Sequence, residues 1–134
     1  MEKDFVPPQE SLELKELGFD EPCFNLYHKD THQFMYKSID GVVMIKIDNH
    51  NKTNHCSAPT FSQAFRFFRE KFRLHSFIDI YPTNDEPDRC WYMIRHYDRS
   101  FGDDKDIVRG FFVNQEKAEL GCLIRLINIV KEQK

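Results

Sequence analysis

The stretch that decides the fold is APTFSQAFRFFREKF, Ala58 to Phe72, which sets five phenylalanines into residues 61–72 and interleaves them with arginines. Thr60 followed three residues later by Gln63 has the form of a capping box. The threonine oxygen takes one orphan backbone N–H, the glutamine reaches back to another, and a helix starts here. At about 100° per residue, Phe61, Ala64, Phe65, Phe68 and Phe72 fall within one stripe, which assigns four of the five rings to a core. Phe67 projects roughly 120° from the centre of that stripe, in the company of Gln63 and Lys71. It has two readings. One is an anchor for a protein interface, where aromatics are enriched; the other is a ring covered by the amino-terminal helix or a loop of the same chain. Arg66, Arg69 and Arg73, at i, i+3 and i+7, share a side of the helix. They form either a ridge for phosphate contacts with aromatics nearby to stack on bases, or a solvated face paired with Glu70 and neighbouring acids.

Upstream, Pro7 and Pro8 introduce QESLELKELG, a short helix carrying Leu12, Leu14 and Leu17 that Gly18 can end in the left-handed conformation. It is too short to stand alone, so its leucines must lean on another element. From Glu21 the pattern turns to aromatic and β-branched runs at residues 23–28, 33–39 and 42–47, punctuated by KDTH and by Asp40-Gly41. These predict a three-stranded antiparallel meander. The polar segment 48–57 reads as an exposed loop.

Downstream, HSFIDIYP (75–82) and RCWYMIRHYD (89–98) flank the turn-rich TNDEPD and predict a hairpin. IVRGFFV supplies one more strand, with Gly110 marking a bulge or a close backbone approach. Asn114 is a good N-cap for the last helix. Leu120, Leu123, Ile124, Ile127 and Val130 lie on one face of it, and Ala118, Cys122, Leu126 and Ile129 widen that face. Lys117, Gly121, Arg125 and Asn128 remain as a polar strip. A stripe so wide implies burial on two sides, one of them the sheet and the other a helix or a second copy of the chain. The element order α-βββ-α-ββ(β)-α gives an α+β fold: an antiparallel sheet of about five or six strands with helices packed on one face.

At 134 residues the chain reads as a single domain, 1–134, large enough to bury a core without staples. Charged residues at 31% and hydrophobic ones at 40% are an ordinary globular balance. The formal net charge of -3 gives no overall pull toward nucleic acid or anionic lipid. The charged amino terminus has no signal-peptide core and no run is long enough to span a bilayer, so the expectation is a cytoplasmic protein with no membrane association. Cys23, Cys56, Cys90 and Cys122 are scattered, without a C-x-x-C pair, and read as reduced thiols.

Neither metal nor cofactor binding is expected. His50, His55 and Cys56 cluster in the polar loop and His28 and His32 flank a turn, but neither set has a recognised ligand spacing. Arg95 to Ser100, RHYDRS, supplies a base, an acid and a hydroxyl, yet strand alternation throws His96 and Asp98 to one face and Tyr97 to the other. The five glycines never form a phosphate-cradling cluster, and no nucleophile elbow is present.

TFSQAFRFFREKF (60–72), EKAELGCLIRLINIVK (116–131) and EPCF (21–24) resemble a family of small uncharacterised proteins widespread in Bacteroides-type bacteria, their phages and integrated mobile elements. A tryptophan commonly stands at the place of Phe67 in that family, and Gly121 and Ile124 depart from its usual final helix. The resemblance covers about a third of the chain, and implies a phage or mobile-element origin and no particular activity. The expectation is a non-enzymatic accessory protein acting by protein–protein interaction. The partner is an unknown protein or a second copy of the chain, through the terminal helix or the Phe67 and Lys71 side. Nucleic-acid binding through Arg66, Arg69 and Arg73 is the alternative, with a small enzyme of unseen chemistry behind it.

Overall fold

A computed structural model describes residues 2–23, 25–28, 34–35, 37–39, 42–44, 55–96 and 107–133. The chain divides into two units, Met1–Ala64 and Phe65–Lys134. The general α+β, antiparallel reading holds. The described strands, however, do not make one sheet of five or six: they form two ladders of three strands and one of two.

In the first unit, α1 (Pro8–Glu16) opens on the proline pair. It closes on Gly18, whose φ of 96° is left-handed. The Gly18 N–H donates to the Lys15 carbonyl and that of Phe19 to the Leu14 carbonyl, a Schellman ending that satisfies two otherwise orphaned acceptors. Leu14 and Phe19 are both buried. Just before α1, Phe5 bridges Thr60 and the Val6 N–H donates to the Pro59 carbonyl at 2.8 Å. The Val6 carbonyl in turn accepts from the Tyr27 hydroxyl at 2.9 Å and the Ser11 hydroxyl at 3.0 Å. Both polar backbone groups of the fully buried Val6 are therefore paired, as burial demands.

Strand β1 (Asn25–His28) pairs on one side with β2 (Phe34–Met35) and on the other with β5 (His55–Ala58). β3 (Lys37–Ile39) and β4 (Val42–Met44) form a separate antiparallel pair with Ile39 opposite Val42. The expected meander is thus replaced by a β1-centred ladder and this pair. The loop reading of 48–57 is corrected at its end, since residues 55–58 are strand. Residues 48–54 lie outside the described residues. The small side chains Cys56, Ser57 and Ala58 are buried, and Phe5, Tyr27, Cys56 and Ala58 form one cluster with Leu12 against it. A segment of small residues lacks the bulky β-branched signature that marks a strand in sequence.

Helix α2 (Phe61–Phe72) begins on the expected reciprocal cap: the Gln63 N–H donates to Thr60 Oγ1 at 3.2 Å and the Thr60 N–H to Gln63 Oε1 at 3.1 Å. Its buried set is Phe61, Ala64, Phe67 and Phe68, with Phe65 and Phe72 half-buried. The core stripe is therefore turned roughly 40° toward Phe67 from the stripe read in sequence.

In the second unit, β6 (Leu74–Ile80), β7 (Cys90–His96) and β8 (Ile107–Phe112) form an antiparallel meander with Ile78, Tyr92 and Gly110 in one rung. The register is continuous through Gly110, so of the two readings for that glycine the close approach is the right one. A Cβ there would stand 2.4 Å from Cε1 of Tyr92. Helix α3 (Gln115–Glu132) is capped by Asn114, whose side chain accepts from the Lys117 N–H at 2.9 Å. It covers the inner sheet face with Ala118, Cys122, Leu123, Leu126, Ile127 and Val130, while Ile124 faces solvent.

Gly121 does not belong to a polar strip. A Cβ on it would meet the Phe112 ring. The rings of Tyr92 and Phe112 stack with centroids 5.8 Å apart. Gly110 makes room for one ring on the sheet side and Gly121 for the other on the helix side.

All four cysteines are free and buried. Burial pushes the Cys23 and Cys122 thiols up to about 12, against opposing hydrogen bonds with Ser57 and Ser76. Below the ordinary value of 9.0 these thiols are protonated in both the folded and unfolded chain, so their contribution is fully present. Above it the unfolded chain loses protons that the folded chain keeps until about 12, so stability falls as pH rises through that window. Urea midpoints at pH 8 and pH 10.5 should show the decline, and Cys23→Ser/Cys122→Ser should flatten it.

Candidate functional site

Directly opposite residues on antiparallel strands share a face, and faces alternate along each strand. With α3 on the side of Ile78, Tyr92 and Gly110, the other side of the β6–β8 sheet presents His75, Phe77, Asp79 and Tyr81 from one strand. Trp91, Met93 and Arg95 follow from the next, and Arg109, Phe111 and Val113 from the third. Arg89 extends this face, because the Tyr81 N–H donates to the Arg89 carbonyl at 2.7 Å and continues the ladder.

This outer face is open and rich in rings. Phe77 is 49% exposed, Phe111 50% and Tyr81 54%, values far above the few per cent of the core rings. Met93 at the centre is buried. Trp91 and Phe111 lie stacked at 6.1 Å with planes 17° apart, and Tyr81 meets Phe111 edge-on at 5.9 Å. Arginines cap the stack from both ends: Arg109 lies 5.5 Å from the centroid of Trp91 and Arg89 lies 4.7 Å from that of Phe111. The result is a ladder in the order Arg109, Trp91, Phe111, Arg89, held by ring quadrupoles attracting guanidinium charge. Arg89 also meets Glu86 at 3.6 Å, whereas among the described residues neither Arg95 nor Arg109 pairs with an acid. Against Arg89, Arg95 and Arg109 the described part of the face sets one carboxylate, Asp79.

The residues singled out from sequence are placed differently. Phe67 is 6% exposed, packed edge-on against Phe68 and Phe72 at 5.4 and 5.5 Å, with Lys71 Nζ 5.4 Å from its centroid. Phe67 is thus a buried ring in contact with neighbours on its own helix. Lys71 is exposed beside it. Arg66 and Arg69 are exposed on α2, whereas Arg73, also exposed, lies beyond the helix end with a positive φ of 57° where α2 turns into β6, so the i, i+3, i+7 spacing does not run on one helix. The outer sheet face was not singled out from sequence. Its signal was present in the alternation of Trp91, Met93 and Arg95, and of Arg109, Phe111 and Val113, at period two.

Among the described residues no group of three His, Cys, Asp or Glu side chains could hold a metal ion. His32, His50 and Tyr97–Ser100 lie outside the described residues, so neither histidine grouping weighed in the sequence is described in full, and of RHYDRS only Arg95 and His96 are. An open hollow of about 330 Å³ lies at the start of α3, between Ile80, Asp88, Cys90 and Glu116. The Cys90 thiol there donates to the Asp88 carbonyl at 3.3 Å, a local contact two residues away in sequence. No described helix is long and apolar enough to cross a membrane. No protein-family model, curated protein or solved structure matches the chain.

Proposed function

We propose that this protein is a non-enzymatic accessory protein of phage or mobile-element origin that works by binding, and that the outer face of β6–β8 is its working surface. The observation that carries the reading is the contrast between the two faces of one sheet. On the inner face Tyr92 is buried and Phe112 half-buried beneath α3; on the outer face Phe77, Tyr81 and Phe111 are each about half exposed. Rings so placed add little to stability for their area, and open apolar patches rimmed by charge mark interaction surfaces. Chemistry has less support. The Cys23 and Cys122 thiols are driven away from the thiolate form by burial, which is opposite to what a nucleophile needs.

A photo-reactive side chain placed at position 77 or 111 in the native host tests this. The proposal expects covalent adducts from those positions and few from Lys131, an exposed site on α3. Equal yields from all three sites would contradict it.

A further inference from the structure

We infer that the occupant of the outer sheet face is single-stranded nucleic acid. This rests on the binding reading above and adds the ligand class. Three features of the face converge on it.

The first is charge. A chain of net charge -3 collects Arg89, Arg95 and Arg109 on one sheet face, where among the described residues the acids are Asp79 on the face and Glu86 beside Arg89. A local excess of cations on an acidic chain selects a polyanion for that face over the rest of the surface. The second is planar chemistry. Phe77 and Tyr81 offer open ring surface, while Trp91 and Phe111, stacked on each other and capped by arginines, present their edges; every base has a π-face, so stacking tolerates any sequence. The guanidinium groups of Arg109 and Arg89 already lie over rings, which pre-orients two flat cationic surfaces of the kind on which unstacked bases also settle. The third is shape. A three-stranded sheet open on one side is broad, with aromatics on neighbouring strands at its centre and arginines at its margins. Splayed bases can lie over the rings while phosphates reach the guanidinium forks. A duplex hides its base faces and cannot use the rings.

An acidic protein segment would also answer the charge, but it would leave the rings without planar partners. A second copy of the chain would bring like charge against like charge.

Trp91 is the one tryptophan of the sequence, so intrinsic fluorescence reports directly from the centre of the face. The experiment titrates the full chain with a twelve-nucleotide oligo-dT, an oligo-U of the same length, a duplex and inorganic polyphosphate, at low and moderate salt. Fluorescence and the anisotropy of labelled oligonucleotide are read together. The inference expects saturable quenching of Trp91 by the single strands, a weaker response to duplex, and none from polyphosphate beyond its competition for charge. Phe77→Thr/Phe111→Thr should weaken single-strand binding at least fivefold, as the loss of one stacked base does. Arg95→Gln/Arg109→Gln should lower the slope of log affinity against log salt by about 1.4.

Absence of binding at 100 µM protein in low salt, or equal quenching by polyphosphate, would overturn the inference; so would binding indifferent to both double variants. If cross-links from positions 77 and 111 lead to protein, or to a second copy of the chain, while oligonucleotides fail to bind, the ligand class falls and the binding face stands. If those positions give no preferential adducts and oligonucleotides still bind elsewhere, both fall.

Discussion

Phe68→Ala should lower the unfolding free energy by about 3–5 kcal/mol, a large part of what a domain of this size has. Phe68 has no accessible surface and meets the rings of Phe67 and Phe72 at 5.4 and 5.8 Å. Truncation removes the transfer free energy of a whole ring and leaves a hole that neighbouring rings on one rigid helix cannot readily fill. The contrast that gives this result meaning is Phe65→Ala. That residue is half-buried on the same helix and should cost roughly half as much, by loss of apolar burial with little cavity left behind. Urea denaturation of the two variants checks both size and order. A Phe68→Ala cost under about 1 kcal/mol would mean that α2 is not held by its phenylalanines.

Gly121→Leu should be similarly severe. The first added carbon on Gly121 already enters the space of the Phe112 ring, at separations below any real Cβ contact. Overpacking of this kind costs about 1–3 kcal/mol when the neighbour can give way. Here Phe112 is backed by Tyr92, which in turn covers Gly110, so displacement of one ring presses on the next. A cost at or above the top of that range is expected, partly offset by the better helix propensity of leucine, about 0.8–1 kcal/mol. Phe112→Ala in the same chain should recover much of the loss by vacating the ring's volume, and a double-mutant cycle reads the coupling. No recovery would show that the glycine is kept for a reason other than the ring.

Local grammar was the part of the fold most legible in sequence. The Thr60–Gln63 box, the Asn114 cap, the Gly18 terminator and the β6–β7 hairpin each depend on neighbours a few residues apart, and each is found where the residues put it. Long-range choices were less legible. Phenylalanines stand on more than one side of α2, so a 3.6-residue period could assign a stripe but not fix its rotation, and the true stripe includes Phe67. β5 is built from Cys56, Ser57 and Ala58, whose small side chains carry no strand signal of their own and gain it by pairing with β1.

The candidate site was harder still, and for a physical reason. In β7 and β8 the sequences CWYMIRH and IVRGFF carry apolar residues on both faces, so alternation cannot say which side is covered. Only the placement of α3 decides that Tyr92 is inside and that Phe111 is outside. Glycine misled in the same way: Gly121 looked like part of a polar strip because a residue with no side chain leaves no mark of the ring it accommodates.

The separation of this sheet into a structural face and a binding face is tested most directly by equilibrium urea unfolding of Phe77→Thr/Phe111→Thr. Threonine keeps the strand propensity and removes the rings. With each ring about half exposed, the pair should lose less than about 2.5 kcal/mol in total. A loss of about 6 kcal/mol or more, the size expected for two enclosed phenylalanines, would contradict the account.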